Sequence, residues 1–194
     1  MENKYDPTIR ISKKAPSILD RPLNKGRNEV HISSFALLFS EIVQYSQNRV
    51  TTVADLQTKL SDLGKSIGSR ILDVLVLREK GHKRETRIIN VLLLIKTNVW
   101  KSLFGKEADK LEQSNDDDKT YYIIEKEPLV NKFISRQKDK GGLNCAFFIA
   151  GIVEEILQGC NFPCTVTAHW HKGTTFMIQF DETVIARDKA FDAR

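Results

Sequence analysis

The chain has 194 residues, 41% of them hydrophobic and 28% charged, with a mean hydropathy of -0.33; this is the length of one domain with a sizeable core, and it excludes wholesale disorder and a membrane-embedded bundle. The formal net charge of +5 is unevenly placed, +3 on residues 1–30 and +2 on the rest, too small an excess on the globular part to build a phosphate-neutralising surface, so no nucleic-acid partner is expected. Weak attraction to an acidic surface depends on where charges cluster and stays open.

Residues 1–28 hold Pro7, Pro16 and Pro22, many polar and basic residues and no sustained periodicity. They are expected to form a flexible or partner-ordered extension ahead of a single α+β domain over 29–194. No continuous apolar run marks a secretory signal there. The apolar points Ile9, Ile11, Ile18, Leu19 and Leu23 could dock only where a partner supplies a groove, and a solvated tail is the simpler reading.

A first helix is predicted from an N-cap at Ser33 or Ser34, with Phe35, Leu38, Phe39 and Ile42 at helical spacing to about Gln47. A second starts after Thr51 or Thr52, with Val53, Leu56, Leu60 and Leu63 on one side, and runs past Gly64 and Gly68 to a stop at Gly81. Two internal glycines cost about 1 kcal/mol each relative to alanine, so they mark either a kink or the close approach of another backbone. A third helix runs from Arg84-Glu85-Thr86 through Ile88, Leu92, Ile95, Val99 and Leu103 to Gly105. Its most apolar run, Ile88 to Ile95, contains Asn90 and falls well short of the roughly 20 residues needed to span a bilayer.

The polar stretch from Gly105 to Asp118 reads as a long exposed loop, with or without a helical turn. Thr120 to Glu125 has strand composition, and after Pro128 a second short strand is predicted over Val130 to Ile134. Asn144 is the expected cap of a fourth helix carrying Cys145, Phe148, Ile149, Ile152 and Ile156, with Ala150 and Gly151 letting it lie close on a sheet and Gly159 ending it. The last predicted structure is a hairpin: Cys164 to His171, a turn at Lys172-Gly173, and Thr174 to Glu182. Alternation puts Val166, Ala168 and Trp170 on the inner face with Phe176, Ile178 and Phe180 opposite them. The expected fold is α+β, with helices packed on one face of a small four-stranded antiparallel sheet.

No enzyme emerges from the motifs. His169 and His171 share the outer strand face, but two imidazoles without a third ligand make no zinc site. Lys172-Gly173-Thr174-Thr175 has a single glycine between strands, so it is a turn and no phosphate cradle. Cys145 stands near a helix start, where amide dipoles lower a thiol pKa, yet it belongs to the apolar stripe and reads as a buried small hydrophobe. Three cysteines at 145, 160 and 164 form no paired framework and suit a reducing cytosolic setting. Asp116-Asp117-Asp118 lacks the glycine and final glutamate of a calcium loop. Neither a cofactor nor a metal is expected, and His169, His171 and Lys172 remain as candidates for an exposed contact. Three helices offer more apolar stripe than one sheet and one bundle need, which points to a helical dimerisation surface. A small-molecule or lipid pocket under the helices is the alternative reading.

Several segments carry a more specific signal: Ser34-Phe35-Ala36-Leu37-Leu38-Phe39-Ser40-Glu41, Arg78-Glu79-Lys80-Gly81 with Arg84-Glu85-Thr86, Phe104 to Glu112, Tyr122-Ile123-Ile124-Glu125, Asn144-Cys145-Ala146, Thr167 to Thr175 and Val184-Ile185-Ala186-Arg187-Asp188. Together they resemble the small subunits of the TRAPP (transport protein particle) complex over nearly everything after residue 28. The resemblance implies an α/β plait of ligand-binding-like type and a non-catalytic subunit of an assembly that tethers vesicles. That assembly also exchanges guanine nucleotide on a Rab GTPase between endoplasmic reticulum and Golgi. It further implies a helical heterodimer with an acylated paralogous subunit through the first two helices, here Phe35, Leu38, Phe39, Ile42, Leu56, Leu60, Leu63 and Ile67. Other surfaces would meet a sedlin-type, longin-like subunit, and the Rab would be met mainly through the assembled complex. The implied location is cytoplasmic, with peripheral membrane association through the complex at the cis-Golgi and endoplasmic reticulum. The acylated paralogue carries its cysteine shortly before an Arg-Glu-Thr; Glu79-Lys80-Gly81-His82-Lys83 has none, so no covalent fatty acid is expected here.

Overall fold

A computed structural model describes residues 30–78, 84–134 and 142–192 of the chain. Helix α1 spans Ile32–Gln47 and α2 Val53–Arg78. They are followed by α3 (Ile88–Leu94), a π-helical turn (Ile95–Val99) and α4 (Trp100–Phe104), which together make one continuous rod. Strands β1 (Lys110–Gln113) and β2 (Thr120–Glu125), the one-turn helix α5 (Leu129–Lys132), helix α6 (Phe147–Gly159), strands β3 (Cys164–Trp170) and β4 (Thr174–Phe180), and helix α7 (Glu182–Asp192) complete the order.

The four strands form one antiparallel sheet in the order β1-β2-β4-β3. Tyr121 faces Ile178 and Ile123 faces Phe176 across β2 and β4, while Val166 faces Ile178 across β3 and β4. These residues make one buried row, against which α6 and the α3–α4 rod pack: the rings of Trp100 and Phe176 meet edge-on at 5.5 Å. A third layer is α2, laid along α6, with α1 joining through Phe39, whose ring meets Phe148 at 5.2 Å. The predicted α+β plan, with helices over an antiparallel sheet, is the observed one.

Local chemistry accounts for the boundaries. Thr52 heads α2: its hydroxyl accepts from the Asp55 amide at 3.1 Å and donates to the Asp55 carboxylate at 2.7 Å, a reciprocal cap of the kind that satisfies orphan helix donors. Gly105 ends the α3–α4 rod in the left-handed region at φ 75°, as expected. Gly64 and Gly68 are a close approach and not a kink. A Cβ on Gly64 would collide with the Phe148 carbonyl, and one on Gly68 would lie 2.8 Å from the Ile152 carbonyl. Gly151 answers from the other helix, its missing Cβ making room for the Ser61 backbone.

Seven expectations change. The N-cap of α1 is His31, whose side chain accepts from the Ser33 amide, and neither Ser33 nor Ser34. The polar stretch after Gly105 contains β1, while Val130 to Ile134, expected as a strand, begins with the helical turn α5, so the count of four strands holds but one of them was misplaced. Asn144 sits ahead of α6 and accepts from the Ala146 amide at 3.1 Å, although Ala146 is the N-cap. Gly151 lies against α2 and not against the sheet. The hairpin is not the last structure, because α7 follows it. Trp170 belongs to the inner row by parity but stands at the sheet's end, 40% exposed beside Gly142. The N-terminal extension, the stop at Gly81 and the cysteine-free Glu79 to Lys83 lie outside the described residues.

Helix α7 is fixed by tertiary bonds. The Asp188 carboxylate accepts from the Ile88 amide at 3.0 Å and from Arg87 Nε at 3.1 Å, supplying from α7 the anion that the first turn of α3 lacks from its own flank. Arg187 stacks over the Phe162 ring at 4.7 Å and donates to the Asn161 carbonyl at 2.8 Å.

Candidate partner interface

Helix α1 is apolar on two sides. Phe39, Val43 and Ser46 face the core, and Phe35 and Ile42 pack against its margin. On the other side Leu37, Leu38 and Tyr45 are 70%, 62% and 57% exposed. Five consecutive apolar residues, Phe35 to Phe39, wrap more than a full helical turn at 100° per residue, so one core cannot take them all. Arg49 stacks over the Tyr45 ring at 3.4 Å and donates to the Tyr45 carbonyl at 3.2 Å, which leaves that aromatic held outward at the edge of the patch.

The eight residues expected at the contact therefore divide. Phe39, Leu56 and Leu60 are buried in the chain's own core, Leu60 completely, so a docking partner cannot touch them without unfolding the domain. Phe35, Ile42 and Ile67 are half-buried at the core margin. Leu38 and Leu63 are exposed. The residues that sequence spacing passed over are Leu37 and Tyr45, because a single stripe was assigned to each helix; the run Phe35 to Phe39 was the signal that could have found Leu37.

At the hairpin, His169 and His171 are exposed, and His169 Nε2 lies 2.8 Å from the Thr167 hydroxyl. No group of three metal-ligating side chains gathers among the described residues. Lys172 and Gly173 form the turn at φ 50° and 103°, and a Cβ on Gly173 would lie 2.6 Å from Lys126 Cα, so the tip rests on the end of β2.

The buried ionisable groups are structural. Glu154 of α6 accepts from the Val166 amide of β3 at 3.1 Å and pairs with Lys65 of α2 at 2.5 Å, joining three elements through one carboxylate. Glu125 accepts from Trp100 Nε1 at 3.1 Å and pairs with Lys106. Each hydrogen bond raises the pKa of its lysine. Burial pushes the Cys145 thiol up to about 11 and the Cys164 thiol up to about 12, and raises Cys160 as well. None of them is a thiolate nucleophile near neutral pH. A cavity of about 800 Å³ opens between the end of α2, α3 and α6, lined by Leu72, Leu75, Val91, Val99 and Ile156 with Arg84 and Glu85 at its edge. No helix among the described residues is long and apolar enough to cross a membrane.

Comparison with known proteins fixes the lineage. Trafficking protein particle complex subunit 5 of Gallus gallus is 59% identical over 95% of this chain and 98% of its own length. The Homo sapiens protein of the same name is 57% identical over the same shares, and the Dictyostelium discoideum protein 49% over 92% of this chain and all of its own. A trafficking protein particle complex subunit 3 from Naegleria fowleri, solved covalently bound to palmitic acid, superposes with a TM-score of 0.69 over 78% of this chain and 95% of its own, at 17% identity, and so shares the fold. The family profile described as Transport protein particle (TRAPP) component matches residues 35–181, and the chain, which carries that family's α+β fold and no catalytic constellation among its described residues, belongs to it.

Proposed function

We propose that this chain is a non-catalytic subunit of a transport protein particle assembly, the complex that its curated relatives are named for. Its work there is to hold neighbours together. The observation that carries this reading is the outer face of α1, where Leu37, Leu38 and Tyr45 stand in solvent. Exposed apolar side chains gathered on one side of a helix mark a contact site, and Leu63 of α2 is exposed as well. A paralogous subunit of the same fold, presenting its own first helices, would cover it and complete a pseudo-symmetric helical heterodimer.

The partner is read as the acylated paralogue, with a sedlin-type, longin-like subunit on another surface; His169, His171 and Lys172 at the hairpin tip are candidates for such a contact. Within the assembly, nucleotide exchange on a Rab GTPase proceeds by displacing switch elements and needs neither nucleophile nor general base, so this chain supports the active surface and does not act on the nucleotide. Peripheral placement at the endoplasmic reticulum and cis-Golgi follows from the complex. The decisive experiment is co-expression with the paralogous subunit followed by size-exclusion chromatography: a stable heterodimer that Leu38→Glu abolishes supports the proposal, and a partner-independent, well-behaved monomer with no change on substitution sinks it.

A further inference from the structure

A second groove lies where the described chain begins. Ile32 at the start of α1 lines it with Trp100, Phe104, Leu129 and Ile149, and the charged Lys106, Glu125, Glu127 and Lys132 share the lining. Its volume is about 250 Å³, below the roughly 300–1,000 Å³ of small-molecule sites, which suits one or two apolar side chains. Inside it, Glu125 is answered by Trp100 Nε1 and Lys106. Glu127 adds to the negative field around Lys106.

We propose that the groove is filled by the chain's own N-terminal segment, with Leu23 seated against Trp100, Phe104 and Leu129. Two observations support that occupant. The chain enters the described structure at Val30, two residues from Ile32, so the segment is tethered beside the groove. Leu23 is the first apolar side chain upstream of Val30, since residues 24–29 read Asn-Lys-Gly-Arg-Asn-Glu; seven residues at about 3.3–3.6 Å each give a reach of up to about 25 Å. A tether this short also holds Leu23 at an effective concentration in the millimolar range, so even a weak seat is populated. Pro22 favours extended backbone at Arg21, which lets the segment lie along the groove without coiling back over α1.

A docked Leu23 would strap the first turn of α1 to the end of the sheet, beside the helix face that meets the partner. The test uses the full chain carrying Cys160→Ser with Leu23→Cys and Leu129→Cys, treated with a short bismaleimide, against a control with Cys160→Ser, Leu23→Cys and Val76→Cys; the native Cys145 and Cys164 are buried. The expected result is an intramolecular cross-link forming at least about tenfold faster in the groove pair. In parallel, Leu23→Asp should speed amide exchange at residues 104–106 and 126–129 of the full chain and leave α6 unchanged. Equal cross-linking rates, a cross-link that joins two copies, one that appears only after the paralogous subunit is added, or unchanged exchange would each overturn the proposal. The heterodimer can form whichever way this experiment falls, so its outcome leaves the proposed function standing on its own test.

Discussion

Helices α6 and α1 are both apolar around most of their circumference, yet only one is covered. Every residue of α6 from Phe148 to Glu154 is buried, between the sheet on one side and α2 on the other. Helix α1 has the same kind of surface and lies at the outside of the stack, so its second apolar side, with Leu37, Leu38 and Tyr45, has no cover among the described residues. Hydrophobicity alone therefore does not separate core from contact. The layer in which a helix lies does, because burial is set by what packs on the far side.

The largest expected effect comes from wedging the covered helix. Gly151→Val places side-chain carbon where the Ser61 backbone sits, an overpacking that should lower stability by about 3 kcal/mol or more and shift the urea midpoint correspondingly. Next comes the uncovered helix. Leu37→Glu with Leu38→Glu should leave the urea midpoint of the isolated chain nearly unchanged, since surface substitutions usually stay within about 0.5 kcal/mol. The same pair should weaken heterodimer formation by about 2 kcal/mol or more, roughly 30-fold, measured by titration calorimetry. Equal losses of fold and binding would erase the distinction between the two helices.

A third expectation concerns the thiols of the covered region. Cys145 and Cys164 stand above their ordinary value of 9.0, at about 11 and about 12, because burial disfavours the thiolate. A raised thiol pKa means the folded chain keeps a proton that the unfolded chain releases. Stability is thus complete below pH 9 and declines as pH climbs toward 11 and 12, by about 1.4 kcal/mol per pH unit for each thiol inside its window. Urea unfolding at pH 8, 9 and 10 should show that decline, and Cys145→Ala with Cys164→Ala should flatten it. The smallest effect is expected at the surface. The pair of Lys189 with Asp118 is 3.0 Å long but largely exposed at both ends, and Lys189→Ala should not move the thermal midpoint measurably.

The legible parts of the molecule were those whose signals are local. Helix α2 was readable from its stripe and from Thr52, and the hairpin from alternation with Lys172-Gly173 at its tip. Strand β1 was hidden because Lys110-Leu111-Glu112-Gln113 offers one apolar residue and helix-favouring neighbours; pairing of Leu111 with Ile123 across β2 overrides that preference. The β-branched Val130 suggested a strand, but Pro128 is the N-cap of a helical turn in which Val130 alone is buried. Among the exposed apolar side chains of α1 and α2, Leu38 and Leu63 could be named from spacing and Leu37 from the run Phe35 to Phe39. Tyr45 could not, because which side of α1 stays open depends on where α2 and α6 lie.

The bond from Asp188 to the Ile88 amide spans 100 residues. As the polypeptide is made from its first residue onward, α1 emerges early, whereas the turn that opens α3 waits for α7. Birth order thus runs opposite to structural completion: the anion that anchors the start of α3 arrives only when α7 has been made.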